Sequence, residues 1–549
     1  ANRGRVPILL PGRPGFPPIG DLPYLLTISA YSFHWFLLAE EEVVPHWHEP
    51  TPEPLPELVT LVMRDGWKSI ATGREADALF RYALPSFLPK QRWFAAKETG
   101  IAGVNRGNCA ILHSSVGDYL LIDLKVRLSG GAEQRYFVPL AYVGDEQAVS
   151  PSAPLLPFTV AKGRRFRTVG PIYDAVANDR FPLALIEAMR GNVEISASDG
   201  VISFTGSKGL REIELQPDAA VRRIGVEQSN SSVIVGDKGV LKIYRRLIAG
   251  PHPELEMSRF LSLAGYANTP PFLGAIEHVA ADGTTTALGI LHGFLFNQGD
   301  GWAYTLDYLD RMLEDRALQQ TEAPGAEDLY PVYLVQAATL GRRTAELHQA
   351  LAIDTDDPAF RPEPIRPEDM LAWRNSIRAQ VEITLRIVES RAAALPEEAR
   401  NEAEALLARR DEVLMRIEAL AGRPVHAAKT RLHGDFHLGQ ILVVKDDFYI
   451  LDFEGEPARP LEERRAKMTP LKDVAGMLRS FDYAAWAAIR HLGERQRDLA
   501  ERALPEALAW RDMAGAAFLG PHRETIAGAP SWPGDPDEGP RVIELFLLG

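Results

Sequence analysis

Residues 433–454 combine side chains and spacing that suit phosphoryl transfer. The segment begins His-Gly-Asp-Phe-His-Leu-Gly-Gln, continues through an apolar hairpin pattern and ends in Asp-Phe-Glu. Gln440 lies five positions after Asp435, and Asp452 lies twelve positions after Gln440. Enzymes that phosphorylate a hydroxyl use this order, in which a loop carboxylate orients the hydroxyl and accepts its proton, while an amide and a second carboxylate bind Mg²⁺. We therefore predict Asp435 as the catalytic base and Gln440 and Asp452 as metal ligands.

Two other interpretations of this segment stay open from the sequence. His433, Asp435 and His437 lie two residues apart, so on a strand they would share one face and offer ligands to a transition metal. Aspartate and histidine at a junction between elements also serve structural roles by hydrogen bonding to the backbone. The hairpin pattern followed by Asp452 favours phosphoryl transfer. In that interpretation His433 supports the loop and carries no proton.

A lysine in an apolar strand pattern indicates a second part of the site. Lys242 lies within residues 240–244, where an ammonium group is costly to bury unless a carboxylate or phosphate faces it. Pro253 can open a helix that carries Glu254 and Glu256 in its first turn. We predict that Glu256 pairs with Lys242, with Glu254 as the alternative. A surface strand whose lysine reaches solvent is the remaining interpretation.

Residues 225–232 read Gly-Val-Glu-Gln-Ser-Asn-Ser-Ser and lie next to short strand patterns. Glycine, serine and asparagine favour a tight turn whose amides and hydroxyls can face phosphates. We predict that Ser229, Asn230 and Ser231 contact a nucleotide. The sequence contains neither a Walker A motif nor G-x-G-x-x-G, which excludes P-loop and Rossmann nucleotide sites.

The elements that position these residues change in type near residue 300. Before it, period-two alternation predicts a strand at 122–128 that pairs with 135–142, and further strands at 158–160, 201–204, 232–235 and 240–244. After it, apolar spacing near 3.6 predicts helices at 329–352, 368–390, 397–421 and 483–511, interrupted by a hairpin at 441–453. The order is a β-rich lobe followed by a helical lobe.

Composition excludes several classes of protein. The 549 residues carry a formal net charge of -14, which argues against nucleic acid as a partner. The one cysteine, Cys109, cannot form an intrachain disulfide and suits the cytoplasm. No apolar run reaches the length of a membrane span, since the nearest, 24–38, is short and interrupted by polar residues. The chain begins without methionine, and we interpret it as a fragment or a processed chain.

From residue 58 to residue 549 the chain resembles the maltokinase family, which is related to the aminoglycoside phosphotransferases. The resemblance rests on the segments 87–94 (FLPKQRWF), 228–232 (QSNSS), 297–302 (NQGDGW), 433–440 (HGDFHLGQ), 452–457 (DFEGEP) and 462–483. It implies an α+β, bilobal protein-kinase-like fold with a β-rich N-lobe, an extra N-terminal cap subdomain and a mainly helical C-lobe. It also implies phosphorylation of maltose at its anomeric hydroxyl with ATP and Mg²⁺, giving maltose 1-phosphate for α-glucan synthesis.

The resemblance carries roles onto individual residues. Asp435 corresponds to the catalytic base, Gln440 and Asp452 to the metal ligands, and Lys242 with Glu256 to the pair that positions the phosphates. Asp473 resembles the aspartate that braces the catalytic loop, which is a structural role. The sugar-binding residues are not assigned.

In the segments 16–24 (FPPIGDLPY) and 35–38 (WFLL), the first 45 residues resemble the C-terminal strands of trehalose synthase, an amylase-type enzyme that interconverts trehalose and maltose. The predicted organisation is a β-sandwich remnant at 1–45, a proline-rich linker at 46–57, a cap and β-rich subdomain at 58–215, a kinase N-lobe at 216–299 and a helical C-lobe at 300–549. This implies the kinase part of a trehalose synthase fusion, with trehalose synthase as a fused or associated partner. Forty-five residues are too few for a (β/α)₈ barrel of roughly 250, so we predict no isomerase activity.

Two alternative functions remain at this stage. One is a kinase for another sugar such as glucosamine, because the shape of the pocket selects the acceptor. The other is a non-catalytic, kinase-like module that docks trehalose synthase. The intact Asp435, Gln440, Asp452 and Lys242 argue against the second alternative.

Overall fold

A computed structural model describes residues 6–9, 19, 36–39, 58–144, 155–216, 218–224, 230–318 and 331–549. The chain divides into two units, Ala1–Val59 and Thr60–Gly549. In the first unit, β1 (Val6–Leu9) pairs antiparallel with β2 (Phe36–Ala39). The proline-rich linker predicted at 46–57 lies outside the described residues.

The second unit begins with short helices and an antiparallel meander. In chain order these elements are β3 (Thr60–Val62), α1 (Trp67–Ala71), α2 (Arg74–Ala78), α3 (Leu84–Phe87), β4 (Ile101–Ser114), β5 (Gly117–Leu128), β6 (Glu133–Phe137), β7 (Leu140–Tyr142), β8 (Thr159–Arg165) and β9 (Thr168–Asp174). Near the end of β5 the apolar residues are buried, while Lys125 and Arg127 are exposed. The predicted pairing of this strand with the next is confirmed.

A second group of strands follows and carries Lys242. Its elements are α4 (Arg180–Gly191), β10 (Glu194–Ser196), β11 (Val201–Gly206), α5 (Lys208–Glu212), β12 (Val221–Ile224), β13 (Asn230–Val235), β14 (Gly239–Tyr244), β15 (Arg246–Leu247), α6 (Pro253–Leu263), β16 (Phe272–Val279) and β17 (Thr285–Gly293). Seven strands form an antiparallel sheet in the order β10-β11-β16-β17-β14-β13-β12. Because β10 and β11 belong to it, this sheet extends across the domain boundary predicted at residue 215.

The two groups of strands share one hydrophobic core. The seven strands of the first group and β15 form an eight-stranded sheet with the path β15-β6-β5-β7-β9-β8-β3, in which β4 pairs with β5. Phe137 and Tyr173 of this sheet pack in the same buried cluster as Val233 and Ile243 of the seven-stranded sheet. β15 follows β14 directly in the chain yet pairs with β6. The chain therefore passes from one sheet into the other beside Lys242.

The remainder is mainly helical, as the sequence predicts. Its elements are α7 (Gly301–Leu318), α8 (Pro331–Ala350), β18 (Glu363–Pro364), α9 (Pro367–Arg391), α10 (Glu397–Ala408), α11 (Arg410–Ala421), β19 (Ala428–Lys429), β20 (Ile441–Val444), β21 (Asp447–Ile450), α12 (Leu461–Arg464), α13 (Leu471–Arg495), α14 (Arg497–Ile526) and α15 (Glu538–Leu547). The sequence predicts one continuous helix at 397–421 and another at 483–511. Both predictions are wrong, because the helices break at Arg409 and Gln496. The apolar pattern continues across the break at Gln496 because both flanking helices pack on the same core.

Among the residues that the structure describes, no helix combines the length and the apolar character that crossing a bilayer demands.

Candidate active site

Lys242 lies at the centre of three carboxylates from three parts of the chain. Its Nζ lies 2.6 Å from Glu454 Oε1, 2.9 Å from Asp452 Oδ1 and 3.0 Å from Glu254 Oε2. Glu254 belongs to the first turn of α6, while the other two follow the β20–β21 hairpin. The strand lysine of the seven-stranded sheet therefore contacts the segment that contains the predicted metal ligand Asp452.

One ammonium group cannot by itself neutralise three carboxylates, of which Glu254 is buried and Asp452 and Glu454 are partly buried. Burial alone would lower the pKa of Lys242, but the surrounding carboxylates raise it well above its usual value. Burial raises the pKa of Glu254, and the nearby Glu454 and Asp452 add to this effect against the opposing charge of Lys242. Burial would also raise the pKa of Glu454, but Lys242, His252 and Arg464 together lower it. Glu254 is thus the carboxyl group that retains its proton most readily.

The predicted pairing of Lys242 with Glu256 is wrong, because Glu254 takes that position. Residues two apart on a helix point in nearly opposite directions. Glu256 Oε1 lies 2.7 Å from Arg465 Nη2, and Glu256 Oε2 lies 3.3 Å from Arg431 Nη1. Glu256 therefore joins α6 to the helical lobe and makes no ion pair with Lys242 within the described part of the chain.

The faces of β13 and β14 divide the predicted nucleotide contacts. Ser232 is directly opposite Lys242 in the antiparallel register, and Asn230 is opposite Tyr244. Because alternate residues share a face, Asn230 and Ser232 lie on the same face as Lys242. Ser231 points to the other face, where its Oγ accepts a hydrogen bond from Arg245 Nε at 2.8 Å. The predicted residue Ser229 lies outside the described residues.

Asn230 contacts the charged cluster directly. Its Nδ2 donates to Glu454 Oε1 at 3.3 Å. The Arg464 Nη2 group lies 3.3 Å from the other oxygen of Glu454, and Arg464 Nε donates to the Glu454 backbone carbonyl at 2.7 Å. Glu454 consequently connects the nucleotide-facing strands to the segment that follows the hairpin.

The loop that carries Asp435 is fixed by a buried aspartate. Asp473 Oδ2 accepts from the His433 amide at 2.8 Å, and its Oδ1 accepts from the Gly434 amide at 2.9 Å. A third contact, at 3.4 Å, joins Asp473 to His348 Nε2. Burial alone would raise the pKa of Asp473, but the contacts with His348, His433 and Gly434 lower it. Asp473 therefore remains a carboxylate that orients the backbone immediately before Asp435.

His433 links this loop to the segment that contains Asp452. Its Nε2 lies 2.7 Å from the carbonyl of Leu451, which accepts from it, and its Nδ1 accepts the Asp435 amide at 3.4 Å. Both ring nitrogens are thereby engaged in the tautomer that carries its proton on Nε2. The amide of Leu451 also donates to the Gln440 carbonyl at 2.9 Å. These bonds bring Gln440, Asp435 and Asp452 into one region.

The donor set beside Lys242 fits a hard divalent cation. Oxygen atoms of Glu254, Asp452 and Glu454 lie within 4.8 Å of one another. Asp452 adopts a left-handed backbone with a φ of 58°, a conformation that aspartate tolerates better than most residues. Carboxylate oxygens are among the ligands that Mg²⁺ prefers, so these three residues suit such an ion, while Gln440 as a ligand stays a prediction.

A cleft of about 1470 Å³ opens beside Asp435. Its walls come in part from α9, α13 and α15, and five Phe, Tyr or Trp residues line it: Trp302, Trp373, Phe436, Tyr483 and Phe546. Eight carboxylates line the cleft: Asp300, Glu363, Asp369, Asp435, Glu456, Glu462, Glu463 and Asp473. They are almost balanced by seven basic side chains: Lys429, Arg431, Arg459, Arg465, Lys467, Lys472 and Arg479.

Sequence reasoning assigned no role to Glu454 or Ser232. Glu454 stands two positions after Asp452, and such proximity to a predicted ligand is a usable signal. Ser232 could have been separated from Ser231 by strand alternation once Lys242 was placed in the neighbouring strand. The choice of Glu254 had no such signal, because the rotation of α6 about its axis depends on tertiary packing.

Comparisons with known proteins agree with this geometry. The maltokinase N-terminal cap domain matches residues 87–177. The glucosamine kinase of Mycolicibacterium smegmatis is 30% identical over 306 residues, which cover 56% of this chain and 67% of that protein. The glucosamine kinase of Streptacidiphilus jiangxiensis is 30% identical over 314 residues, which cover 57% of this chain and 64% of that protein. The chain thus spans about two thirds of each relative.

Two further matches concern the fold and a short segment. The structure of a glucosamine kinase with glucosamine, ADP and inorganic phosphate has a TM-score of 0.57 and 22% identity, covering 86% of this chain and 91% of that chain. A stretch of 39 residues is 51% identical to the trehalose synthase of Pimelobacter sp. strain R48, which is 7% of each protein.

The α+β, kinase-like fold with an N-terminal cap is confirmed by these matches. The identity and coverage of the Mycolicibacterium smegmatis relative show that the chain belongs to the glucosamine kinase family, and the chain carries a maltokinase-type N-terminal cap domain.

Proposed function

We propose that the chain transfers the γ-phosphoryl group of ATP to the anomeric hydroxyl of maltose, releasing ADP and maltose 1-phosphate. The observation that carries the kinase reaction is the contact of Lys242 with Asp452 at 2.9 Å. It places a strand lysine beside the aspartate that follows the hairpin, and in kinases the strand lysine contacts the nucleotide phosphates while that aspartate holds metal. The cap domain at 87–177 supports maltose as the acceptor.

Asp435 lines the cleft on a loop whose backbone is already fixed by Asp473. Its carboxylate orients the sugar hydroxyl and accepts the hydroxyl proton as the new bond to phosphorus forms. Lys242 exchanges its carboxylate partners for phosphate oxygens. Asp452 and Gln440 would hold Mg²⁺, which would neutralise charge on the phosphate oxygens when bound. Catalysis in this scheme comes from positioning and electrostatic stabilisation.

The charges of the cleft are compatible with a neutral acceptor. Eight carboxylates and seven lysine or arginine side chains leave little net charge among the lining residues. Four of the carboxylates form ion pairs with basic side chains of the same cleft: Glu363, which pairs with both Lys429 and Lys467, and Asp369, Glu456 and Glu463. Asp300 and Glu462 also line the cleft outside these ion pairs, so a carboxylate is available to a protonated amino sugar as well.

Glucosamine is the second candidate acceptor. It is favoured by the two curated relatives, each of which is named a glucosamine kinase and is 30% identical to this chain. Both candidates use the same catalytic residues and differ only in the contacts made in the cleft.

An ADP-release assay with ATP and Mg²⁺ tests both candidates across maltose, glucose, glucosamine, trehalose and an aminoglycoside. We expect turnover with maltose and an anomeric phosphate in the NMR spectrum of the product. Turnover with glucosamine alone would replace maltose as the acceptor. Absence of turnover with all five sugars, despite bound ATP, would support the docking module instead.

We also propose trehalose synthase as a fused or associated partner, which would supply maltose from trehalose for α-glucan synthesis. The 39-residue match to a trehalose synthase supports this proposal. ATP as a substrate and the single cysteine fit the cytoplasm. Release of maltose from trehalose by the purified chain alone would contradict the assignment of isomerisation to the partner.

A further inference from the structure

We propose that the cap domain sets the position of the nucleotide-facing strands through Arg245, which acts as a positioning residue for ATP. The inference rests on the ATP site proposed above, and it gives the cap a role in nucleotide binding. It starts from the path of the chain, since Arg245 is the single residue between β14 and β15. β14 belongs to the sheet that carries Lys242, and β15 pairs with β6 of the cap.

The backbone of Arg245 is bound to the cap. The amide of Phe137 donates to the Arg245 carbonyl at 2.8 Å. Arg246 and Leu247 then continue the pairing with Tyr136 and Arg135. The last residue before this crossover, Tyr244, still lies opposite Asn230 on the nucleotide-facing sheet.

The side chain of Arg245 makes its contacts in both sheets. It is only 2% exposed, and its Nη2 lies 2.7 Å from Asp174 Oδ2, on a carboxylate that is equally buried. The guanidinium carbon lies 4.7 Å from the ring centre of Trp93. Its Nε donates to the hydroxyl of Ser231 on β13 at 2.8 Å. Trp93 and Asp174 both fall within the cap match at 87–177, whereas Ser231 does not.

Ser231 transmits this attachment to the nucleotide-facing surface. Its neighbours Asn230 and Ser232 lie on the opposite face of β13, beside Lys242. A shift of Ser231 along or away from the cap therefore moves both neighbours relative to Lys242. Arginine suits this task because its guanidinium group is a rigid fork that fixes several partners at once.

Packing alone does not explain the choice of a charged pair. Two buried charges are costly to desolvate, and an apolar pair of similar volume often stabilises a fold as well or better. The surroundings of Arg245 are apolar, since Phe137, Ile243 and Leu247 belong to the shared core. What an apolar pair cannot supply is a directed hydrogen bond to Ser231. The geometry therefore points to positioning as the function of Arg245.

The test compares Ser231→Ala with Ser231→Thr in the full chain. Ser231→Ala leaves the Arg245–Asp174 pair in place and removes only the bond to β13, so we expect the KM for ATP to rise about tenfold, in line with the loss of one hydrogen bond to a charged group. The KM for the sugar should change less than twofold. Ser231→Thr keeps the hydroxyl and should restore the KM for ATP. Arg245→Lys, which loses the fork, should resemble Ser231→Ala.

Asp123→Asn is the matched control. Asp123 forms a buried ion pair with Arg135 inside the cap sheet and contacts neither β13 nor β14 through that pair. The Asp123→Asn substitution should lower the thermal unfolding temperature without raising the KM for ATP. An equal rise in KM for Asp123→Asn would overturn the proposal, because general weakening of the cap would then explain the effect.

Direct binding of ATP to the unmutated chain, measured by equilibrium dialysis, separates the two proposals. If this chain binds no ATP, the proposed function fails. If it binds ATP and turns over, while Ser231→Ala and Arg245→Lys bind ATP with unchanged affinity, the role of Arg245 fails and the proposed function stands. A tenfold weaker affinity in both variants, restored in Ser231→Thr, supports the role of Arg245.

Discussion

Carboxylates fix two regions of the active site in different ways. Around Lys242, three carboxylates bind a side-chain ammonium group, and at least one of them, Asp452, is 39% exposed. In the catalytic loop, the buried Asp473 binds two backbone amides. Phosphate oxygens can compete for an ammonium group on a side chain. No substrate competes for amides that face the protein interior.

We call the cluster around Lys242 the exchangeable region, because substrate can replace its contacts, and the loop held by Asp473 the permanent region, because substrate does not replace its contacts. The cluster around Lys242 consists of side-chain ion pairs, whose partners arriving Mg²⁺ and phosphate can exchange. Asp473 has its hydrogen-bonding capacity used by His348, His433 and Gly434, so it acts before any substrate binds. Variants around Lys242 should therefore change the KM for ATP, whereas variants of Asp473 should change the stability of the folded loop.

The largest expected effect comes from Asp435, the group that the permanent region presents to the cleft. Asp435→Asn keeps the shape of the side chain and removes the proton acceptor, so we expect kcat to fall about 10²- to 10⁴-fold. Binding of ATP should persist, because the Lys242 cluster is intact. The measurement is single-turnover ADP release together with equilibrium dialysis of ATP. A variant with normal kcat would exclude Asp435 as the base.

The next prediction tests whether the contacts of Asp473 with the catalytic loop are permanent. Asp473→Asn places an NH₂ group against backbone amides that need an acceptor, which should lower the free energy of unfolding by about 3 kcal/mol and reduce kcat. Urea unfolding and steady-state kinetics measure the two quantities. Asp482→Asn is a control on the same helix, since Asp482 forms only a partly exposed pair with Arg511. A stable Asp473→Asn variant with normal kcat would remove the distinction between the two regions.

A third effect concerns the exchangeable region. Lys242→Met removes the ammonium group and should raise the KM for ATP roughly 10- to 100-fold. This corresponds to about 1.4 to 2.7 kcal/mol of lost phosphate binding. The KM for the sugar should change much less. Steady-state kinetics with each substrate varied in turn measures the difference. An unchanged KM for ATP would place Lys242 outside the nucleotide site.

The sequence was informative where chemistry and local spacing coincide. The order of Asp435, Gln440 and Asp452 and the hairpin between the last two are local features, and the structure contains that hairpin as β20 and β21. The two-lobed division was also predictable, because period-two and period-3.6 patterns occupy different halves of the chain. The fold class therefore followed from the sequence and the family resemblance together.

Orientation was the part that could not be predicted. Glu254 and Glu256 are chemically equivalent neighbours, and only the packing of α6 decides that one faces Lys242 while the other faces Arg431. The face of β13 on which Ser231 lies could not be predicted for a related reason, since its hydroxyl contacts Arg245, which the cap residues surround. Rotation about an axis and the choice of strand face are both set by distant contacts.

The smallest effect distinguishes the two glutamates. Glu254→Gln mimics a protonated carboxyl group, and burial already raises the pKa of Glu254 to about 8. We therefore expect the KM for ATP to stay within about threefold of the original value, less than one kcal/mol. Glu256→Gln instead weakens two arginine contacts and should lower the unfolding temperature more than it changes the KM.

The pH dependence of stability tests the same assignment. A carboxyl group whose pKa is higher in the folded state binds more protons when folded, so its contribution to stability is complete at low pH and is lost as the pH rises through about 8. The unmutated chain should thus lose stability relative to Glu254→Gln between about pH 5 and pH 9, as measured by urea unfolding. The difference in stability between the unmutated chain and Glu256→Gln should not change with pH over this range. Parallel pH profiles for the unmutated chain and Glu254→Gln would mean that Glu254 is ionised beside Lys242, and all three carboxylates would then belong to the exchangeable region on equal terms.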